Sequence, residues 1–97
     1  MIDIQDKHLA IIQQILQAYI PNIPVWVFGS RIKGTAKPYS DLDIVIVGQQ
    51  KIPQNTYYQI QDAFEESELP YRVDVLDWHR ISDEFRALIQ QKYFILA

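Results

Sequence analysis

Ninety-seven residues, 48% of them apolar, suffice for one domain with a modest core, so a single domain spanning 1–97 is expected. The absence of cysteine excludes a disulfide framework, a zinc–thiolate site and a thiol nucleophile. Nine basic against twelve acidic residues give a net charge of −3, which argues against a generic nucleic-acid binder with a basic face.

The first residues, Met1-Ile2-Asp3-Ile4-Gln5-Asp6, have neither the basic region nor the apolar run of a signal peptide. No apolar stretch is long enough to span a bilayer, so a cytoplasmic chain without a membrane partner is expected. From about Gln5 to Ile20, Leu9, Ile12, Leu16, Tyr19 and Ile20 recur at helical spacing, and Ile11 and Ile15 widen the stripe. Asp3 or Asp6 is placed to cap this helix, and Pro21-Asn22 ends it. His8, alone in its first turn, reads as a surface residue without a role.

Val25 to Phe28 is an apolar, β-rich run that predicts a strand, with Trp26 as a core residue. A polar segment opening with Gly29-Ser30 and punctuated by Gly34 and Pro38 then leads to Asp41-Leu42-Asp43. A loop of this length is usually functional. A second strand follows over Leu42–Val47, and Lys51-Ile52-Pro53 links it to a helix over about Gln54–Glu68. Ile60, Ala63 and Phe64 form the inner face of that helix, with Tyr57 or Tyr58 beside them, while Glu65, Glu66 and Glu68 read as solvated. Leu69-Pro70 closes it and introduces a third strand, Tyr71–Trp78. Ser82 is expected to cap a last helix running from Asp83 to about Leu96. Its greasy end, Tyr93-Phe94-Ile95-Leu96, either finishes the core or joins an interface, and self-association is one outcome. The order fits an α/β domain with a short mixed sheet of three to four strands. The first two strands are expected antiparallel, and the third returns through a helical crossover.

The chemistry is concentrated at the two edges of the loop. Side chains alternate along a strand, so Asp41 and Asp43 project from one face. At roughly 6 Å and an effective dielectric of about 20, two such carboxylates repel by about 3 kcal/mol. A hard divalent cation such as Mg²⁺ or Mn²⁺ turns that repulsion into a ligand set. At the opposite edge Gly29 permits close backbone approach, and Ser30 offers a hydroxyl and an N–H to a phosphate. Metal at one lip and phosphate donors at the other describe a nucleoside triphosphate site. Arg31, Lys33 and Lys37 cluster between them, either as a solvated loop or facing phosphate. Asp74, inside the apolar third strand, is costly unless paired or metal-bound, and is the candidate third carboxylate. Asp77 falls on the opposite face, and Arg72, sharing the face of Asp74, is the alternative structural partner.

Gly29-Ser30-Arg31, Gly34, Ser40, Asp41 and Asp43 resemble the G-S-R-x-x-G…S-D-x-D signature of the DNA polymerase β-like nucleotidyltransferase superfamily, most of all its minimal nucleotidyltransferases. The ten residues between Ser30 and Asp41 equal the family spacing, and the resemblance runs from Val25 to about Trp78. It implies the nucleotidyltransferase fold, ATP as substrate, and catalysis with two Mg²⁺ or Mn²⁺ ions held by Asp41, Asp43 and Asp74. Gly29, Ser30, Arg31 and Ser40 are then the nucleotide-binding residues. Minimal nucleotidyltransferases are commonly paired with a helical HEPN-type protein as antitoxin and toxin, and transfer AMP to a tyrosine hydroxyl of that partner. The resemblance therefore implies a protein adenylyltransferase whose partner supplies the acceptor. A non-catalytic nucleotide- or partner-binding module is the alternative, and an aminoglycoside-type enzyme a more distant one.

Overall fold

In the computed structural model, which describes residues 4–96, four strands form one mixed sheet in the order β3-β2-β1-β4. Helix α1 (Asp6–Tyr19) leads into β1 (Val25–Phe28), and a short helix α2 (Ser30–Lys33) follows at once. Strand β2 (Leu42–Ile46), helix α3 (Gln54–Glu65) and β3 (Val73–Asp77) make the crossover unit. A 3₁₀ turn at Trp78–Arg80, helix α4 (Asp83–Gln91) and β4 (Phe94–Ile95) complete the chain.

The alternation of β1 builds the two faces. Val25 and Val27 are buried with Ile12 and Leu16 of α1, Ile60 and Phe64 of α3, and Ile44, Ile46 and Val75 of the neighbouring strands. Burying that many aliphatic side chains is the main favourable term for a chain of this size. Trp26 and Phe28 face the other way and are only half-buried. There Trp26 stacks on Tyr93 with centroids 4.0 Å apart and meets Trp78 edge-on, while Phe28 packs edge-to-face with Phe85 of α4. Trp26 thus belongs to an aromatic layer on the second face and not to the main core.

β1 and β2 pair antiparallel, with Phe28 opposite Asp43. β2 and β3 pair parallel through α3, as the crossover requires. β3 is an edge strand, and the Tyr57 hydroxyl of α3 donates to its Val75 carbonyl at 2.6 Å. That contact covers an edge that would otherwise offer free backbone groups to another strand. Ser82 caps α4 as expected, accepting from the Phe85 N–H.

Three expectations are corrected. The last helix stops at Gln91, because Lys92 is extended and Phe94–Ile95 pair with Val27 and Trp26 of β1 as a fourth strand. The end of the chain divides its roles: Leu96 is buried, whereas Phe94 and Ile95 stay exposed. His8 is buried, not on the surface, and its ring meets Tyr71 edge-on at 5.5 Å. α1 starts from Gln5 without a side-chain cap, Asp6 lies in its first turn, and Asp3 lies outside the described residues. Among the described residues, no helix is long and apolar enough to cross a membrane.

Candidate active site

Glycine is needed at position 29 for two separate reasons. Its φ of 84° is a conformation that L side chains rarely adopt. A Cβ there would also run into the carboxylate of Asp43. β1 therefore ends with its backbone against Asp43, and the chain turns directly into α2. The Gly29 carbonyl accepts from the Ile32 and Lys33 N–H groups, and Gly34, at φ 77°, terminates the turn. Ser30, the first residue of α2, is half-buried beside this corner.

Strand register brings the acids together. Asp43 is the direct neighbour of Asp74 in the β2–β3 ladder, so both side chains lie on the face carrying Phe28. Asp41 precedes β2 by one residue and is exposed. Burial raises the Asp43 carboxyl above its ordinary value, and the Asp74 and Asp41 carboxylates push it further, while the Arg72 guanidinium pulls it down. Arg72 therefore acts on this cluster, as its shared face with Asp74 suggests. Two like charges flanking a partly desolvated carboxylate make a site that gains from a cation.

The three acids do not, however, close a cage by themselves. Among the described residues, no group of three or more His, Cys, Asp or Glu side chains is gathered tightly enough to hold an ion alone. Asp41 lies one residue before the strand that carries Asp43. The donor set still fits Mg²⁺ or Mn²⁺. Mg²⁺ is ordinarily held by one or two carboxylates, with water and substrate phosphates supplying the other positions.

Arg31 has a different place from the phosphate-facing one suggested by sequence. It is 5% exposed, and its guanidinium donates to the Pro38 carbonyl at 3.1 Å and to the Ser40 carbonyl at 2.8 and 3.2 Å. The same group lies 3.9 Å over the Tyr71 ring. It ties the segment before Asp41 to α2, and so sets where the acid-bearing strand begins. The Ser40 hydroxyl accepts from the Lys37 N–H at 2.8 Å, closing the turn on that segment. Nothing in sequence signals the Arg31–Tyr71 contact, because forty residues separate the two.

Asp77 is excluded from the site by its own bonds. It is 2% exposed and accepts from the Ile52 and His79 N–H groups at 2.8 and 3.0 Å, with Arg80 3.3 Å away. Arg80 donates in turn to the Ile52 carbonyl, and a His79 ring nitrogen lies 2.7 Å from the Gly48 carbonyl. Asp77 thus fastens the β2–α3 link to the end of β3.

The family model described as polymerase beta, nucleotidyltransferase, matches residues 10–96, which include both edges of this site. The chain belongs to that family. It is a nucleotidyltransferase. Its relatives include the probable protein adenylyltransferase MntA of Haemophilus influenzae, 44% identical over 95 residues that cover 98% of this chain and 83% of the relative. A crystal structure of a toxin–antitoxin with AMP-PNP aligns with a TM-score of 0.76 at 22% identity, over 92% of this chain and 72% of the other. The MNT antitoxin in complex with the tri-AMPylated HEPN toxin of Shewanella oneidensis aligns at 0.71 and 21% identity, over 97% and 72%. At those identities the two structures establish the nucleotidyltransferase fold.

Proposed function

We propose that this nucleotidyltransferase moves AMP from ATP to a tyrosine hydroxyl of a helical HEPN-type partner, acting as the antitoxin of a toxin–antitoxin pair. The observation that carries the reading is the placement of Asp43 and Asp74 side by side, with the Gly29 backbone pressed against Asp43. The 44% identical MntA and the fold shared with an AMP-PNP-bound toxin–antitoxin support the donor and the class of acceptor.

Divalent ions held by Asp41, Asp43 and Asp74, two of them Mg²⁺ or Mn²⁺, would supply Lewis-acid stabilisation of the triphosphate and of the attacking oxygen. Gly29 and Ser30 hold the phosphates at the corner between β1 and α2. The acceptor oxygen attacks the α-phosphorus, the bond from that phosphorus to the β-bridging oxygen breaks, and pyrophosphate leaves. Asp74 takes the proton released by the hydroxyl. Arg31 and Ser40 act by fixing the segment that positions Asp41. The remaining contribution is in-line alignment of the two substrates.

Incubating the chain with the partner and with ATP labelled either at the α- or at the γ-phosphate tests this. Label from the α position is expected on the partner, and none from the γ position. Transfer of the γ label would mean a kinase, and absence of both labels would overturn the reading.

A further inference from the structure

The edge of the sheet beside Asp74 is only partly covered. In a parallel ladder, alternate residues send both backbone groups to the same neighbour. The Leu42 N–H donates to the Arg72 carbonyl at 2.9 Å, so Arg72, Asp74 and Leu76 face β2, whereas Val73 and Val75 face outward. The Tyr57 hydroxyl takes the outward carbonyl of Val75. Val73, one residue before Asp74, keeps an outward N–H and carbonyl without a partner among the described residues. Next to it lies a hollow of about 420 Å³ between α3 and β3, lined in part by Phe64, Glu65, Leu69, Val73 and Asp74.

We infer that this edge receives the acceptor: an extended segment of the partner adds to β3 at Val73, with its tyrosine opposite Asp74 and a lysine or arginine next to that tyrosine. The inference rests on the nucleotidyl-transfer reading above and names the form in which the acceptor is presented.

Register supplies the first argument. Residues opposite one another in neighbouring strands point to the same face of a sheet. A tyrosine opposite Asp74 therefore lies on the face shared by Asp43 and Asp74, beside the carboxylate that takes its proton. Bonds to the Val73 N–H and carbonyl would fix that register, the usual source of affinity when a segment adds to a sheet edge. The other edge strand, β4, lies at least two strands from these acids and offers no such approach.

The hollow supplies the second argument. The residue next to the tyrosine points to the opposite face, which is the side of Val73, Leu69 and Phe64. Half-buried Leu69 and Val73 offer apolar surface to a long stem. Glu65 is exposed at the rim, with no ion pair among the described residues. A lysine or arginine lays its methylenes on the former and its charge against the latter. Arg72 also lines the hollow, but it shares the face of Asp74 and acts on the acid cluster.

Residue-resolved amide exchange of the chain, alone and in complex with the partner without ATP, tests the placement. The Val73 N–H is expected to exchange at least about tenfold more slowly in the complex. Unchanged exchange at Val73, in a complex that transfers AMP once ATP and Mg²⁺ are added, would overturn strand addition and leave the transfer reading standing. Slow exchange in the isolated chain, deepening with concentration, would give the edge to a second copy and also overturn it. Glu65→Lys, at an exposed position, and Val73→Pro, which removes the N–H, should each raise the KM for the partner about tenfold. The kcat and the affinity for ATP with Mg²⁺ should hold in both. A wild-type KM in Glu65→Lys would overturn the basic neighbour, and a wild-type KM in Val73→Pro the strand. A partner that gains no AMP from the wild-type chain would sink the transfer reading, and this inference with it.

Discussion

Asp43 and Asp74 are direct neighbours in a parallel ladder, two carboxylates on one face of the sheet with the Gly29 backbone closing in from β1. A fold selected only for stability would separate them. Their pairing places unfavourable charge on one face of the sheet, and this shapes what substitutions do.

Asp43 is raised above its ordinary carboxylate value by burial, then by Asp74 and Asp41. A carboxyl raised in the folded state stabilises the fold below its unfolded value, near 3.8, and that contribution is lost as pH rises through the folded value. Asp43→Asn should therefore be more stable than wild type at neutral pH without metal, and the difference should shrink towards pH 3. Denaturant melts of both proteins across pH 3–8 check this. A variant less stable than wild type at pH 7 would contradict it.

Adding Mg²⁺ should raise the Tm of wild type and leave Asp43→Asn much less affected, because binding to the folded state alone is stabilising. Equal shifts in both proteins would place the ion elsewhere.

Gly29→Ala meets two penalties. The positive φ costs about 1–3 kcal/mol for a residue with a side chain, and collision with the Asp43 carboxylate adds to it. In a double-mutant cycle, Asp43→Ala should recover the collision portion and not the backbone portion. Strict additivity would show that the two groups are not in contact.

The two acids of β3 should respond in opposite ways. Asp74→Ala is expected to abolish nucleotide transfer and leave the fold intact. Asp77→Ala removes the acceptor for two N–H groups and the partner of Arg80, and should cost about 3 kcal/mol or more. That is a large share of the total stability of a small domain. Chemical denaturation and a transfer assay on each variant separate the roles.

Arg31→Lys keeps a positive charge and loses the fork that spans the Pro38 and Ser40 carbonyls. A loss of about 2 kcal/mol in unfolding free energy is expected, since hydrogen bonds from a charged donor are worth about 1.5–3 kcal/mol each. If Arg31 served phosphate directly, stability would hold and tripolyphosphate affinity would collapse instead.

The regular elements were legible because their periods are local. Alternation along the third strand placed Asp74 and Asp77 on opposite faces, and the register sets Asp74 beside Asp43 and Asp77 beside the buried Ile46. The helices α1 and α3 followed from the stripes running from Leu9 to Ile20 and from Ile60 to Phe64. Less local features were not visible. Helix α2 has four residues, too few to display a period, and is held between two glycines of positive φ. Phe94–Ile95 become a strand only by pairing with β1, nearly seventy residues earlier, so their apolar run reads equally well as a helix end. The burial of His8 and Arg31 depends on Tyr71, a partner that no spacing rule connects to either.

Intact-mass spectrometry of the HEPN-type partner, after incubation with this chain, ATP and Mg²⁺, tests the central claim most directly. The partner should gain one or more AMP units with wild type and none with Asp43→Ala. An unmodified partner beside the wild-type chain, or equal modification by the variant, would contradict the account.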